Sequence, residues 1–139
     1  MIDYQRVFDL TKWLDDVLSR NAIRFDSLAP SAIPSEGGIY FISDFSQRSE
    51  EVIYVGLAGN LSQRIYTNQL QGNKSSGTIK VALVDHGRAK DLAAAKDYLR
   101  KHCAVRFDVV PDYREREMRE GFAKAVLKPP FSLYKSKEH

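Results

Sequence analysis

Two phenols and one guanidinium stand at intervals that a hairpin and one helix can close. Tyr40 lies in the run Gly38-Ile39-Tyr40-Phe41-Ile42, Tyr54 in Val52-Ile53-Tyr54-Val55-Gly56, and Arg64 follows eight residues after Gly56. A guanidinium is a planar fork that matches phosphate oxygens and stays charged at any working pH. A phenol is a poor base near neutrality until neighbouring positive charge lowers its pKa. Phenols beside an arginine therefore suit the binding and activation of groups around an anion. Three such residues brought together read as a site rather than a core.

The elements that must position them can be read from the pattern. The two runs are rich in β-branched and aromatic residues and are joined by a polar turn from Asp44 to Glu51, which predicts an antiparallel hairpin. Paired so, Tyr40 and Tyr54 lie near one end of the ribbon and share a side. Asn60, with Gln63 three residues on, is a variant capping box that opens a helix. On it Leu61 and Ile65 are expected inward, with Arg64 and Asn68 one turn apart on another face. Residues 69–77 read as a polar loop. Ile79, Ala82, Leu83 and His86 predict a helix stopped at Gly87, and Leu92, Ala95 and Leu99 mark another over 90–102.

From Ala104 to Val110 the pattern alternates as a strand, with Val105, Phe107 and Val109 on one face and Arg106 and Asp108 on the other. Asp112 opens a last helix that must stop before Pro129 and Pro130. Its expected inward stripe is Met118, Phe122, Ala125 and Val126; Tyr113, Glu117, Glu120 and Lys124 form a polar face. Upstream, residues 3–20 read as an amphipathic helix with Val7, Phe8, Leu10, Trp13, Leu14, Val17 and Leu18 on one stripe. Trp13 is thus a packing residue. Residues 21–36, with Pro30 and Pro34, read as a connector.

Composition bounds the possibilities. A chain of 139 residues can bury a core without staples, and 43% hydrophobic with 28% charged residues excludes a disordered polymer. No run approaches the roughly 20 apolar residues that cross a bilayer, and the opening MIDYQRVFDL lacks the pattern of a secretory leader. A cytoplasmic location with no membrane partner is the expectation. The single cysteine, Cys103, excludes an internal disulfide and a multi-cysteine metal site, and is expected to be a small buried residue at a helix end. His86 and His102 lack metal-ligand spacing and read as structural. A net charge of +3 and a pI near 9.0 permit a polyanionic partner without requiring one.

Taken in order, Gly38-Ile39-Tyr40, Tyr54-Val55-Gly56, Arg64, and Glu120 twelve residues before Ser132 in Lys128-Pro129-Pro130-Phe131-Ser132 resemble the GIY-YIG nuclease module of homing endonucleases and of the N-terminal part of UvrC. The match spans roughly residues 36–134. It implies an α/β (α+β) fold: a small central antiparallel three-stranded sheet flanked by helices, here with an extra N-terminal helix. Residues 1–35 would then be helix and connector, and 36–139 the nuclease-like domain. The resemblance also implies catalytic roles for Tyr40, Tyr54, Arg64 and Glu120, with Gly38, Gly56, Asn68 and Ser132 supporting them. Three positions depart from the family pattern: Ser132 stands where members usually carry asparagine, Asn68 where many carry histidine or tyrosine, and Leu57 where the repair branch often carries lysine.

Those four residues suit phosphodiester cleavage on chemical grounds. Hydrolysis needs an activated water, charge stabilisation at the phosphoryl oxygens and help for the departing oxygen. Glu120 is a hard oxygen ligand for one Mg²⁺ or Mn²⁺, and a single carboxylate argues for one ion, not two. Tyr40 is expected to orient and deprotonate water, Tyr54 to hold the phosphate or that water, and Arg64 to stabilise phosphoryl charge in a shallow cleft. DNA is the expected partner, with RNA the other candidate. Lys74, Lys80, Arg88, Lys90, Arg114, Lys124, Lys128, Lys135 and Lys137 are available to track phosphates. The first helix could make a homodimer. The alternatives are a degenerate module that binds nucleic acid without cutting it, in keeping with Asn68 and Ser132, and a protein-interaction domain docking through the Trp13 helix.

Overall fold

The computed structural model describes residues 1–71 and 78–132. The Asn68 side chain, most of the 69–77 loop, and Lys74, Lys135 and Lys137 lie outside the described residues. Helix α1 (Tyr4–Leu18) is followed by the short strand β1 (Ile23–Arg24), the hairpin β2 (Gly38–Asp44) and β3 (Glu51–Ala58), and a π-helix over Gln63–Gln71. Then come α2 (Thr78–Asp85), α3 (Leu92–His102), β4 (Cys103–Val109) and α4 (Tyr113–Leu127). The sheet has four strands in the order β1-β4-β2-β3, all antiparallel. The expected three are there, and Ile23 and Arg24, assigned to the connector, add a fourth by pairing with Val105 and Ala104. No described helix is long and apolar enough to cross a membrane.

Both faces of the sheet are covered, each by its own core. On one face Tyr40, Ile42, Ile53 and Val105 pack under the π-helix, α2 and α3. On the other, Ile39, Phe41 and Val55 pack under Leu14 and Val17 of α1 and Ala123 of α4. Strand alternation divides these residues, since neighbours along β2 point to opposite faces. Residues 1–35 are built into both cores: α1 covers the second, and Phe25, Leu28 and Ile33 of the connector are buried in the first. Trp13 donates from Nε1 to Asp108 at 2.8 Å and lies against Phe41 and under Arg119, a packing role as expected. Cys103 is buried at the end of α3, and burial pushes its thiol up.

Two helix faces differ from the sequence reading. On α1, Val7 and Phe8 sit outside the buried stripe and are exposed. On α4, Met118, Ala125 and Val126 face solvent, whereas Arg116 and Ala123 are buried. The Arg116 guanidinium is taken up by the backbone carbonyls of Val110 and Pro111 at 3.0 Å each, so a long cation with satisfied donors occupies a position that hydrophobicity would give to an apolar residue.

The far end of β2 is held by charge. Asp44, 2% exposed, accepts from Arg88 at 2.7 Å, from the Ser46 amide at 2.8 Å and from the Tyr98 hydroxyl. Burial works to raise its pKa, but the hydrogen bonds from Tyr98 and Ser46 and the charge of Arg88 outweigh it and hold the carboxyl below its usual range. A depressed folded-state pKa stabilises the fold above the unfolded carboxyl's ordinary value, and that contribution is lost as pH falls through the folded value. Asp44→Asn is therefore expected to lose about 1–3 kcal/mol at pH 7. In urea unfolding followed against pH, the gap to wild type should close below the ordinary carboxylate range.

Candidate functional site

The tyrosine pair comes from a register irregularity. Tyr40 pairs with Gly56 and Ile42 with Tyr54, but Ser43 pairs with Val52, so Ile53 is an extra residue on β3. A bulge of this kind sets two residues of one strand against one of its partner. Ile53 enters the first core while Tyr54 keeps the same face as Tyr40. The two rings stack with centroids 5.8 Å apart and an interplanar angle of 27°. The shared side expected of them is thereby confirmed in the fold.

Tyr40 itself is a core residue, 1% exposed. The expectation of a cleft-lining phenol that deprotonates water is corrected here, and the cause is its place in mid-sheet between Gly56 and Phe107, beneath the π-helix. A Cβ on Gly56 would stand 2.6 Å from the Tyr40 hydroxyl, so the glycine is what lets the phenol lie across β3. Desolvation and the neighbouring Tyr54 raise the Tyr40 pKa well above 10.0, against the lowering influence of Gln69 and Arg64. Buried in this way, the phenol stays protonated at neutral pH.

Arg64 rides on the helix that covers Tyr40, close enough for its charge to act on that phenol. The connector fixes the start of this helix: the Leu61 and Ser62 amides donate to the Glu36 and Pro34 carbonyls at 2.8 and 3.2 Å, and Gln63 donates to the Asn60 side chain at 3.0 Å. Arg64 is half-buried and lines an open depression with Ala58, Gly59, Asn60 and Gln63. Leu61 and Ile65 are buried as expected.

The helix does not stop at residue 68. Its π winding, with i→i+5 hydrogen bonds, turns Gln69 and Leu70 both inward, where the polar composition of 69–77 predicts a loop. Gln69 is fully buried and donates to the Tyr40 hydroxyl at 2.8 Å. Sequence reasoning missed this residue; the signal was its place four residues after Ile65, the usual interval for a buried face.

Glu120 approaches from the other side. Helix α4 packs on the face of Val55, opposite the tyrosines, and contacts β3, the edge strand. Its carboxylate side chain is 18% exposed and pairs with Lys124 at 3.4 Å. Tyr40, Tyr54 and Arg64 thus form one group, and Glu120 stands on the opposite layer beside the strand that carries Tyr54.

Ser132 closes the outer edge of β3. Its hydroxyl accepts from the Val55 amide and donates to the Val55 carbonyl at 2.9 Å, while the Phe131 amide donates to Ile53 at 2.9 Å. A short hydroxyl suffices because the tail lies against the strand. Among the expected phosphate-tracking cations, Lys80 and Arg88 have structural work instead: Lys80 is buried with its ammonium on the Leu70 carbonyl at 3.0 Å, and Arg88 serves Asp44. Lys90, Arg114 and Lys128 are exposed.

No family model matches the sequence, and no curated protein matches it significantly. Among solved structures, the chain is similar to the crystal structure of the GIY-YIG N-terminal endonuclease domain of UvrC from Thermotoga maritima, a point mutant bound to its catalytic divalent cation. The TM-score is 0.46 at 20% identity, over 73% of this chain and 88% of that one. At that level the likeness assigns no role to any residue.

The contact between Gly56 and Tyr40 is open to a double-mutant cycle. Gly56→Ala is expected to cost about 1–3 kcal/mol in urea unfolding, and most of that cost should vanish in a Tyr40→Leu background.

Proposed function

We propose that the chain is a metal-dependent endonuclease acting on phosphodiester bonds in DNA. The observation that carries this is the stacked tyrosine pair with Arg64 above it, next to an open depression lined by Arg64. A phosphate reaching that depression meets the Arg64 guanidinium fork, and half-buried Tyr54 would have to meet it from β3. Arg64 binds the phosphoryl oxygens and offsets the charge that grows on them in the transition state. Tyr54 holds one of those oxygens, or the attacking water, by hydrogen bond. Of the two tasks expected of Tyr40, orientation is the one its buried, protonated phenol suits.

Among the described residues no group of three histidine, cysteine or acidic side chains could hold a metal. The donor proposed for this site is one carboxylate, Glu120, and this fits a hard divalent ion that would keep water and substrate phosphate as its other ligands. Such an ion would supply Lewis-acid charge at the phosphate. Glu120 would hold the ion from across the β3 edge, where its carboxylate pairs with Lys124 at 3.4 Å.

A second reading has its own support. A module that binds nucleic acid without cutting it is favoured by the Glu120–Lys124 pair, because a carboxylate that already has a cation offers less to a metal. Supercoiled plasmid incubated with Mg²⁺ or Mn²⁺ separates the two. Nuclease action predicts nicking that Arg64→Ala and Glu120→Ala each reduce by roughly 10²-fold or more. Salt-sensitive plasmid binding with no nicking would favour the second reading. Nicking that persists in both variants would overturn the assignment of the site.

A further inference from the structure

A fold requires glycine where a side chain would collide or where φ is positive. Most of the described glycines meet one of these conditions. A Cβ on Gly37 would stand 2.0 Å from the Arg116 guanidinium, one on Gly38 2.2 Å from the Asp108 carbonyl and one on Gly56 2.6 Å from the Tyr40 hydroxyl, while Gly87 has a φ of +77°. Gly59 and Gly121 meet neither. Both are exposed, neither has a positive φ, and a Cβ on either would find no described atom within 4 Å beyond the chain immediately around it. Gly121 also works against its own element, because it lies inside α4, where glycine is among the least favourable residues.

Their positions offer a reason that the fold does not. Gly59 lines the depression with Asn60, Gln63 and Arg64, and no acidic residue lines it. The amides that open the helix there are already taken by the Glu36 and Pro34 carbonyls and the Asn60 side chain, so a ligand would meet polar side chains and the bare main chain of Gly59. Gly121 follows Glu120, about 100° round α4. The flank of α4 toward α1 carries Glu115 and Arg119, which engage Arg6 and Trp13. Gly121 lies away from that flank, with Glu117 four residues before it and Lys124 three after as surface neighbours. Exposed Arg114 and Lys128 stand seven residues away in either direction. The two glycines that the fold can spare thus adjoin the two halves of the proposed site, one beside Arg64 and the other beside Glu120.

We propose that Gly59 and Gly121 are the places where the sugar-phosphate backbone of the nucleic acid rests directly on the protein main chain, one on each side of β3. Such contacts rest on the nuclease reading of this site and give it a binding surface. Arg64 is half-buried and the Glu120 side chain is only 18% exposed, so a strand must settle deeply to meet both. A bare main chain beside each group allows that depth, and a side chain in either place would hold the strand off.

Alanine and glutamine at each position separate this role from a structural one, and being uncharged they leave the attraction to phosphates unchanged. The readouts are Tm, plasmid binding, and plasmid nicking with kcat and KM separated. Gly121→Ala should raise Tm by about 2–5 °C, and Gly59→Ala should not lower it. Gly59→Gln and Gly121→Gln should each raise the plasmid Kd and the nicking KM about tenfold, the cost of forcing a side chain into a close contact, with the alanine variants in between. Larger variants that keep the wild-type Kd and KM would overturn the proposal. An alanine variant that lowers Tm would overturn it too, since the fold would then need the glycine. If wild type binds plasmid without nicking it and the larger variants still weaken binding, the backbone contacts stand and the nuclease assignment falls. If wild type nicks and the larger variants nick equally well, the assignment stands and the contacts fall.

Discussion

The register of β2 against β3 is the constraint on which the remainder of the molecule depends. One extra residue, Ile53, lets β3 bury an isoleucine in the core beneath the helices and still keep Tyr54 on the face of Tyr40. Without the bulge, strict alternation would put Ile53 and Tyr54 on opposite faces and one of them would leave the first core. Gly56 completes the arrangement, since only a residue without a side chain leaves room for the Tyr40 ring to cross. The phenol pair is thus a product of strand pairing. Arg64 and Gln69 are then brought over it by a helix whose start is tied to the connector carbonyls.

A sheet covered on both faces exposes chemistry only at its rims. Here β3 is the rim that both layers reach: the helix of Arg64 from one side, α4 with Glu120 from the other, and the tail with Ser132 along the strand's free edge. The tail has a structural purpose as well. An unpaired edge invites pairing with another chain, and one serine that accepts and donates like a peptide group occupies the place where such pairing would begin. The three parts of the proposed site lie far apart in sequence and are linked through this single strand.

Much of the fold was legible because its elements carry strong local signals. The hairpin, the Asn60 and Asp112 caps, the Gly87 stop and the end of α4 at Lys128 all follow from residue types at fixed offsets. What was not legible depends on departures from regular geometry or on partners distant in sequence. The π winding turns Leu70 inward beside Gln69, which α-helical spacing cannot anticipate. Arg116 is buried because two backbone carbonyls await it, and this rotates the inward face of α4 away from Met118 and Val126. β1 is two residues long and owes its existence to β4. At the site, residue types identified the phenols and the guanidinium, but the depth of Tyr40 and the layer that carries Glu120 are properties of packing.

The central claim is that Glu120, from its own layer, serves the same phosphate as Arg64 and Tyr54. Anomalous scattering from crystals grown with Mn²⁺ tests it most directly. The account predicts a peak bound to the Glu120 carboxylate, with Lys124 displaced, on the side of β3 that opens toward the Arg64 depression. A peak held elsewhere, or a Glu120–Lys124 pair intact at saturating Mn²⁺, would contradict it.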